Sequence, residues 1–573
     1  METNLFEGLK VYQKRVFVPE NADLMDEQVI KEMFNTLLHK RINFFQEFEE
    51  WILNRSELES VLDQHGAILY IRMTCQTDDV VRAQAYTRFI ETIAPVIKPL
   101  EDALNKKYLE LLQSFPLPER YDIYSREIKV DVSLFREENI SLEKELELLS
   151  QEYQKISGAM TVFFQGEEKT MPQMATYLLN PQRNLRESAW RVTASRRLQD
   201  KDALEGIFNK MVLLRHKIAQ NAGFKNYAEY KFQALHRFDY NLADCKQFHQ
   251  TVEKSIVPVL RKMLEKRKEI MGLEALRPWD VAVDALSRPA LRPFEKTEDL
   301  IIGCQKIFHQ LDEALGATFE GMRQDNLLDL QSRKGKAPGG YQSTLQEFRK
   351  PFIFMNAVGT DQDVRTLLHE SGHAFHALLC ADEPLLDYRH APMEFCEVAS
   401  MSMELLAGNF LGVFYKNAED VKRSQVDHLE DCLSVLAWVA TIDAFQFWIY
   451  ENPDHSLEDR KKAWCEIYRR FSSQVVDWSD LSQEENYLWH RQLHIFEVPF
   501  YYIEYAIAQL GALQIWLNAK KDFKKTMRQY KEALSLGGSQ KLPELFEKAG
   551  IVFDFSERTI KPLATLLEKE IGL

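Results

Sequence analysis

A mainly α chain in two parts, with a small β-sheet beside one chemically marked helix, is what the sequence predicts. Three observations predict it. Apolar residues recur at helical spacing through most of the 573 residues, as at Val29, Met33, Leu37, Leu38 and Ile42, and again at Ala85, Phe89, Ile93 and Ile97. Strand-like runs are short and few. A helical apolar run near the middle of the chain is interrupted at one level by His369-Glu370-x-x-His373, side chains that are costly to bury unpaired.

From Asp26 to about Leu112 the pattern is almost wholly helical, and Ile140 to Ile156 is a further amphipathic helix. The texture changes from Ala159 to Glu167, which reads as a strand and turn. A soft boundary is expected near residue 180, separating an N-terminal part, 1–180, from a second part, 181–573. Helices resume from Leu185 to Tyr230 and from Leu242 to Ile270, and Arg277-Pro278-Trp279-Asp280 ends that run. Asn326 to Val358 is compact and irregular. Within it, Gly335-Lys336-Ala337-Pro338-Gly339-Gly340-Tyr341 is a turn-rich loop, and Pro351 to Val358 is a strand. A sheet edge there offers backbone groups to an extended peptide. Helices from Ala418 to Glu451, from Leu457 to Phe471 and around Tyr501 follow. A charged helical tail, Leu517 to Leu573, is broken at Gly537-Gly538.

Positions four apart share a helix face, so His369 and His373 point the same way. They can bind one Zn²⁺, with Glu370 beside them to take a proton from an activated water. Val364, Leu367, Leu368, Ser371, Phe375, Leu378 and Leu379 form the stripe of that helix, and Asp361 and Asp363 suit the dipole at its start. A catalytic zinc takes three protein ligands and keeps one position open. His376 fits poorly as the third, because it lies about 4.5 Å further along the axis. It is expected to orient substrate or support the ligands. The metzincin arrangement needs a glycine turn and a third histidine after the helix, whereas Ala377-Leu378-Leu379 continues it. Downstream, Pro392 suits the first turn of another helix, which carries Glu394, Glu397, Met401 and Glu404 on one face. Glu397 is the expected third ligand and Glu394 the fallback. Glu404 is placed to accept the outer N–H of a ligand histidine. Two satisfied core histidines and a solvated row of carboxylates are the alternative reading.

His369-Glu370-x-Gly372-His373-x-x-His376, followed by Glu397-Val398-Ala399-Ser400, resembles the thimet-oligopeptidase family of zinc peptidases, and more closely its bacterial oligoendopeptidase F and Pz-peptidase branch. A further block, His494-Ile495-Phe496-Glu497-Val498-Pro499-Phe500-Tyr501-Tyr502-Ile503-Glu504-Tyr505-Ala506, is similar to the family's histidine followed by a tyrosine-rich helix. The likeness runs from about Asn184 to the C-terminus and more faintly through the N-terminal third. It implies a large two-part helical fold with a deep central cleft, of the zincin, gluzincin-like type. The N-terminal part is then a helical wall or lid, and the rest a catalytic zinc peptidase domain. It implies one Zn²⁺ per chain and an endopeptidase that cuts short peptides and excludes folded proteins. Gly339, Gly340 and Tyr341 are then expected along the substrate channel. His494 and one or two of Tyr501, Tyr502 and Tyr505 are expected to donate to the oxyanion. Tyr501 pairs with Tyr505 on a helix face, as does Tyr502 with Tyr505, and both registers stay open. Without the likeness the block reads as aromatic core. A zinc exopeptidase and a non-catalytic helical binding protein with a vestigial motif are the other functions considered.

Composition bounds the rest. Apolar residues make up 45% and charged residues 28%, an ordinary globular mix. The net charge of −15 comes without a basic stripe interleaved with aromatics, so nucleic acid is not an expected partner. The seven cysteines are scattered, with no C-x-x-C pair, and point to reduced thiols. Met1 to Glu7 has no basic region followed by an apolar run, and no signal peptide is read. The most apolar later segment, Cys432 to Tyr450, contains Asp443, which argues for a buried core helix over a membrane span. The expected setting is cytoplasmic.

Overall fold

The computed structural model describes residues 6–573 apart from Lys334 and Pro338, and the side chains of Gln151, Gln154 and Lys155 are outside the described set. Met1 to Leu5, read above for a signal, and Pro338 of the glycine loop therefore lie outside the described residues. The chain is mainly helical, with one β-hairpin and one three-stranded sheet among the described residues. It divides into two compact units. The first takes the chain to Glu137 and adds Arg292–Val421 and Gly511–Phe553; the second takes Glu138–Leu291, Lys422–Leu510 and Asp554–Leu573.

Residue 180 falls inside the second unit, and the first 137 residues belong to the unit that carries the H-E-x-x-H helix. The physical reason is polar docking of the long helix Phe45–Cys75 on the sheet. Gln64 Oε1 accepts the N–H groups of Glu347 and Phe348 at 3.0 and 2.9 Å, and Thr74 Oγ1 lies 2.6 Å from the Tyr341 hydroxyl. The second unit holds the hairpin Thr161–Phe164 and Glu167–Thr170. Its Gln165-Gly166 turn has φ of 52° and 86°, the primed geometry that suits strand twist. The long helix Ala418–Glu451 is apolar enough to cross a membrane, but 72% of its most apolar window is buried in the protein. Its fully buried Asp443 is paired with His249 at 2.8 Å, as a core helix requires. All seven cysteines are free thiols.

In the first unit the sheet runs in the order Leu328–Gln331, Lys350–Ala357, Tyr341–Leu345. The central strand is parallel to the first and antiparallel to the last. Phe352, Ile353, Phe354 and Met355 are all buried, as in a strand covered on both faces. The motif helix, Asp361–Leu379, follows at once. Thr360 caps it in a capping box with Asp363, whose Oδ2 also accepts the N–H groups of Val358, Gly359 and Thr360 at 2.9, 2.8 and 2.8 Å.

The second motif helix, Met393–Ala407, packs across the first; Pro392 is its N-cap and stands just ahead of the first turn. The two backbones touch at Gly372. A Cβ there would stand 2.6 Å from Ser400 Cα and 2.8 Å from the Ala399 carbonyl oxygen, closer than any side chain can come. That carbonyl also accepts the Tyr530 hydroxyl at 2.7 Å. The Gly537-Gly538 break serves a similar docking, since Gly538 N–H donates to the Tyr388 carbonyl at 2.9 Å.

Gly372→Ala is therefore expected to lower the unfolding free energy by about 1–3 kcal/mol, the usual penalty of overpacking. A denaturant titration checks this. A midpoint equal to wild type would mean that the helices part without cost at this crossing.

Candidate active site

His369 and His373 lie one turn apart on the motif helix, with ring centroids 5.0 Å apart. Both Nε2 atoms converge on one carboxylate oxygen, Glu397 Oε2, at 3.3 Å from His369 and 3.5 Å from His373. One ligand atom from each of these residues lies within 4.8 Å of the other two. A tetrahedral cation with arms of ~2.0–2.1 Å has ligand-to-ligand edges of ~3.3–3.4 Å, close to the two edges that meet at Glu397 Oε2. Glu404 Oε1 is 2.8 Å from His369 Nδ1. A carboxylate only accepts, so Nδ1 carries a proton held by Glu404, and Nε2 would offer its lone pair to a cation once its own proton is displaced. Glu397 is itself held by Ser400, whose hydroxyl lies 3.0 Å from Oε2 and 3.0 Å from the Glu397 carbonyl.

The charges belong together. Burial opposes a proton on His369, but its bonds to Glu397 and Glu404 outweigh that and hold its pKa well above the ordinary imidazole value. Burial likewise opposes ionisation of Glu397. The charge of His373 and bonds to both imidazoles overcome it and keep the carboxyl well below the usual range. Glu370 differs, because burial pushes its pKa up against the opposing pull of the two histidines. A buried group of carboxylates and imidazoles with these preferences is a field that favours a cation.

The surroundings sort the remaining expected residues. A Cβ on Gly340 would stand 3.6 Å from Glu370 Oε1, so the glycine loop runs beside Glu370 at the start of the edge strand Tyr341–Leu345. Tyr341 turns away from that point. Its ring stacks on Phe354 at 4.7 Å and its hydroxyl meets Thr74. His376 is not brought to the cluster: it is 4% exposed, its ring lies 6.1 Å from that of Phe395, and burial pushes its pKa down to about 3. Glu394 is buried too, and it is Glu397 that completes the ligand group.

In the second unit, the single-turn helix Leu493–Glu497 carries His494. The chain then reverses at Phe500, a non-glycine residue at φ 66°, and the next helix begins at Ile503. Tyr501 and Tyr502 thus sit in the turn ahead of the helix, not on it as expected. The rings of Tyr501, Tyr502 and Tyr505 surround His494 at 5.8, 4.9 and 5.7 Å. Tyr502 is buried and donates to Gln492 Oε1 at 3.2 Å, whereas Tyr501 and Tyr505 are half-buried and the Tyr505 oxygen lies 3.3 Å from His494 Nε2. The turn is clamped from behind. Arg237 Nη2 donates to the Phe500 carbonyl at 2.6 Å and pairs with Glu504 at 2.6 Å, while Gln446 Oε1 accepts the Phe500 N–H at 2.7 Å. Arg215 donates to the carbonyls of Ile495 and Phe496. Ser400 stands in the sequence only as the last residue of the Glu397-Val398-Ala399-Ser400 block, and no local pattern marks Gln492, Arg215 or Arg237.

Residues 176–565 match the profile described as "Peptidase family M3", and residues 17–117 match "Peptidase M3 N-terminal domain". An "Oligoendopeptidase F homolog" of Borreliella burgdorferi is 23% identical over 440 residues, 73% of this chain and 72% of the relative. "Oligopeptidase PepF" of Bacillus subtilis is 23% identical over 307 residues, 53% of this chain and 44% of that protein. Among solved structures, "PZ PEPTIDASE A with inhibitor 2" superposes with a TM-score of 0.90 at 28% identity, covering 97% of this chain and 99% of the other. A putative oligoendopeptidase F from Bacillus anthracis str. Ames gives 0.86 at 26% identity, with 97% and 98% covered.

Two substitutions separate ligand from support. Glu397→Ala is expected to abolish stoichiometric metal binding. Glu404→Ala should keep the site but weaken metal affinity by about 10–100-fold. Metal titration of both variants is the measurement, and full retention in Glu397→Ala would remove that residue from the ligand set.

Proposed function

The chain belongs to peptidase family M3, in its oligoendopeptidase F and Pz-peptidase branch, and is a metalloendopeptidase; from that premise we propose a zinc-dependent oligopeptidase in which Glu370 is the general base. The observation that carries this reading is the convergence of His369 Nε2 and His373 Nε2 on Glu397 Oε2, with Glu370 next in the helix. His369, His373 and Glu397 would hold one Zn²⁺ and leave one position open. The bound ion supplies a Lewis acid, which lowers the pKa of water toward neutrality and polarises a carbonyl.

Everything else is done by the chain's own groups. Glu370 takes a proton from the attacking water, the water oxygen joins the acyl carbon, and the C–N bond breaks as Glu370 returns the proton to the leaving nitrogen. A carboxyl whose pKa is raised by burial suits both halves of that exchange. His494 and Tyr505, with Tyr501 beside them, are the donors we assign to the developing oxyanion, a role taken from the family likeness. Tyr502 is set aside because its hydroxyl is engaged by Gln492. The edge strand from Tyr341, with Gly339 and Gly340 leading into it, is read as the rail for an extended peptide. His376, enclosed beside Phe395, is read as supporting the motif helix instead of touching substrate. We take the N-terminal 180 residues as the family's helical wall and the remainder as the catalytic part, acting on short peptides in the cytoplasm.

Glu370→Gln is expected to bind zinc as wild type does and to lower kcat by about 10²–10⁴-fold. The test combines metal analysis with mass spectrometry of terminally blocked peptides, with and without chelator. Internal cleavage that stops on chelation supports the assignment; near-wild-type cleavage by the zinc-loaded variant would falsify the general-base role.

A further inference from the structure

Behind His494 runs a chain of hydrogen bonds whose direction is set by its first member. An indole N–H can only donate. Trp438 Nε1–H donates to Gln492 Oε1 at 3.0 Å, and the Tyr502 hydroxyl donates to the same oxygen at 3.2 Å. With the amide oxygen engaged there, the amide nitrogen is the atom 2.7 Å from His494 Nδ1. An amide nitrogen only donates, so Nδ1 is the acceptor and the imidazole proton resides on Nε2. Trp438 is itself fixed. Its ring meets Trp464 at 6.1 Å and Tyr468 at 6.4 Å, with the Arg491 guanidinium 5.3 Å from its centroid. Gln492 is fixed as well, since its N–H donates to the Trp489 carbonyl at 2.9 Å and its carbonyl accepts the Ile495 N–H at 3.2 Å.

We propose that Gln492, oriented by Trp438, is a positioning residue that locks His494 in the neutral Nε2–H tautomer and so makes its outer nitrogen a hydrogen-bond donor. The inference rests on the reading of His494 as a donor to the oxyanion. A neutral imidazole in the other tautomer turns a lone pair toward the developing negative charge and repels it. The lock removes that form before substrate arrives. It also gives Tyr502 a different task from its neighbours: its hydroxyl strengthens the hold on Gln492 and does not face the reaction.

The holoenzyme labelled with ¹⁵N-histidine reads the tautomer directly from the imidazole nitrogen shifts, with His494 assigned by its loss in His494→Ala. Nδ1 is expected without a proton and Nε2 with one at neutral pH. Gln492→Glu keeps the shape but makes both outer atoms acceptors, so it favours a proton on Nδ1. Its kcat is expected to fall about 10²-fold, the size of a lost oxyanion donor, with KM nearly unchanged. Trp438→Phe, which frees the amide to turn over, should give a smaller loss in the same direction. If His494→Ala leaves kcat intact, the donor reading fails whatever the tautomer. If His494→Ala lowers kcat but wild-type His494 carries its proton on Nδ1, or Gln492→Glu turns over like wild type, the positioning role is overturned and the donor reading stands. Should Gln492→Glu not fold, the wild-type spectrum alone decides.

Discussion

The backbone contact between Gly372 and Ser400 is the constraint on which the proposed metal site depends. Glu397 sits one turn before Ser400 and His373 one residue after Gly372, so the crossing point and the ligand cluster are the same place in the fold. A ligand set tolerates errors of only about 0.2 Å in its distances. Opening the helices by the width of a methyl group would carry Glu397 Oε2 well past that tolerance. Ser400 adds a second restraint from the same turn, because its hydroxyl holds the carboxylate oxygen that both imidazoles approach. The glycine inside the H-E-x-x-H motif is thus explained by packing, although its neighbours in the motif are explained by chemistry.

Buried charge is handled in two different ways in this molecule. Asp280 is neutralised by Arg183 and Arg186 at 2.8 Å each, and Glu504 by Arg237. Those partners are permanently cationic, so the groups are structural. Glu397 meets imidazoles, which can give up their protons and become neutral ligands. A buried carboxylate facing exchangeable donors is compensated only when a cation, proton or metal, is present. The first arrangement stabilises a fold, as does the single imidazole of His249 on Asp443; two imidazoles meeting one carboxylate oxygen make a cluster able to respond to what binds there.

Much of this was legible in the sequence, and the parts that were not share a physical cause. The H-E-x-x-H face, the acidic first turn at Asp361 and Asp363, and the strand ending near Ala357 follow from local periodicity and capping. Helical spacing puts Glu394, Glu397 and Glu404 on one face but does not choose among them, so Glu394 stays open beside Glu397 as the third ligand. Periodicity does not say what covers a face, however. It could not show that His376 is enclosed beside Phe395, or that Tyr341 turns its hydroxyl to Thr74. Nor could it show that Phe45–Cys75 is bound into the sheet, which is why the change of texture near residue 180 is not where the compact units divide. The left-handed residue at Phe500 carries no glycine to announce it, so the sequence pattern starts the tyrosine helix before Ile503.

The turn at Phe500 shows how side chains can be set in place by hydrogen bonds alone. A non-glycine residue at positive φ costs about 1–3 kcal/mol and persists only when its surroundings impose it. Here the imposition is visible. The Phe500 N–H is taken by Gln446 and its carbonyl by Arg237, while Arg215 takes the carbonyls of Ile495 and Phe496 just before it. Hydrogen bonds to a charged group contribute about 1.5–3 kcal/mol each, and leaving such buried groups unpaired costs a similar amount. Several such bonds converge on a segment of a few residues, so their sum exceeds the strain of one turn. The geometry of His494 and its tyrosines is therefore held by buried groups behind the turn. Electrostatic catalysis demands donors that need no reorganisation when charge develops. Under the proposed role of His494, the buried arginines and glutamines behind this turn are the groups that would meet that demand.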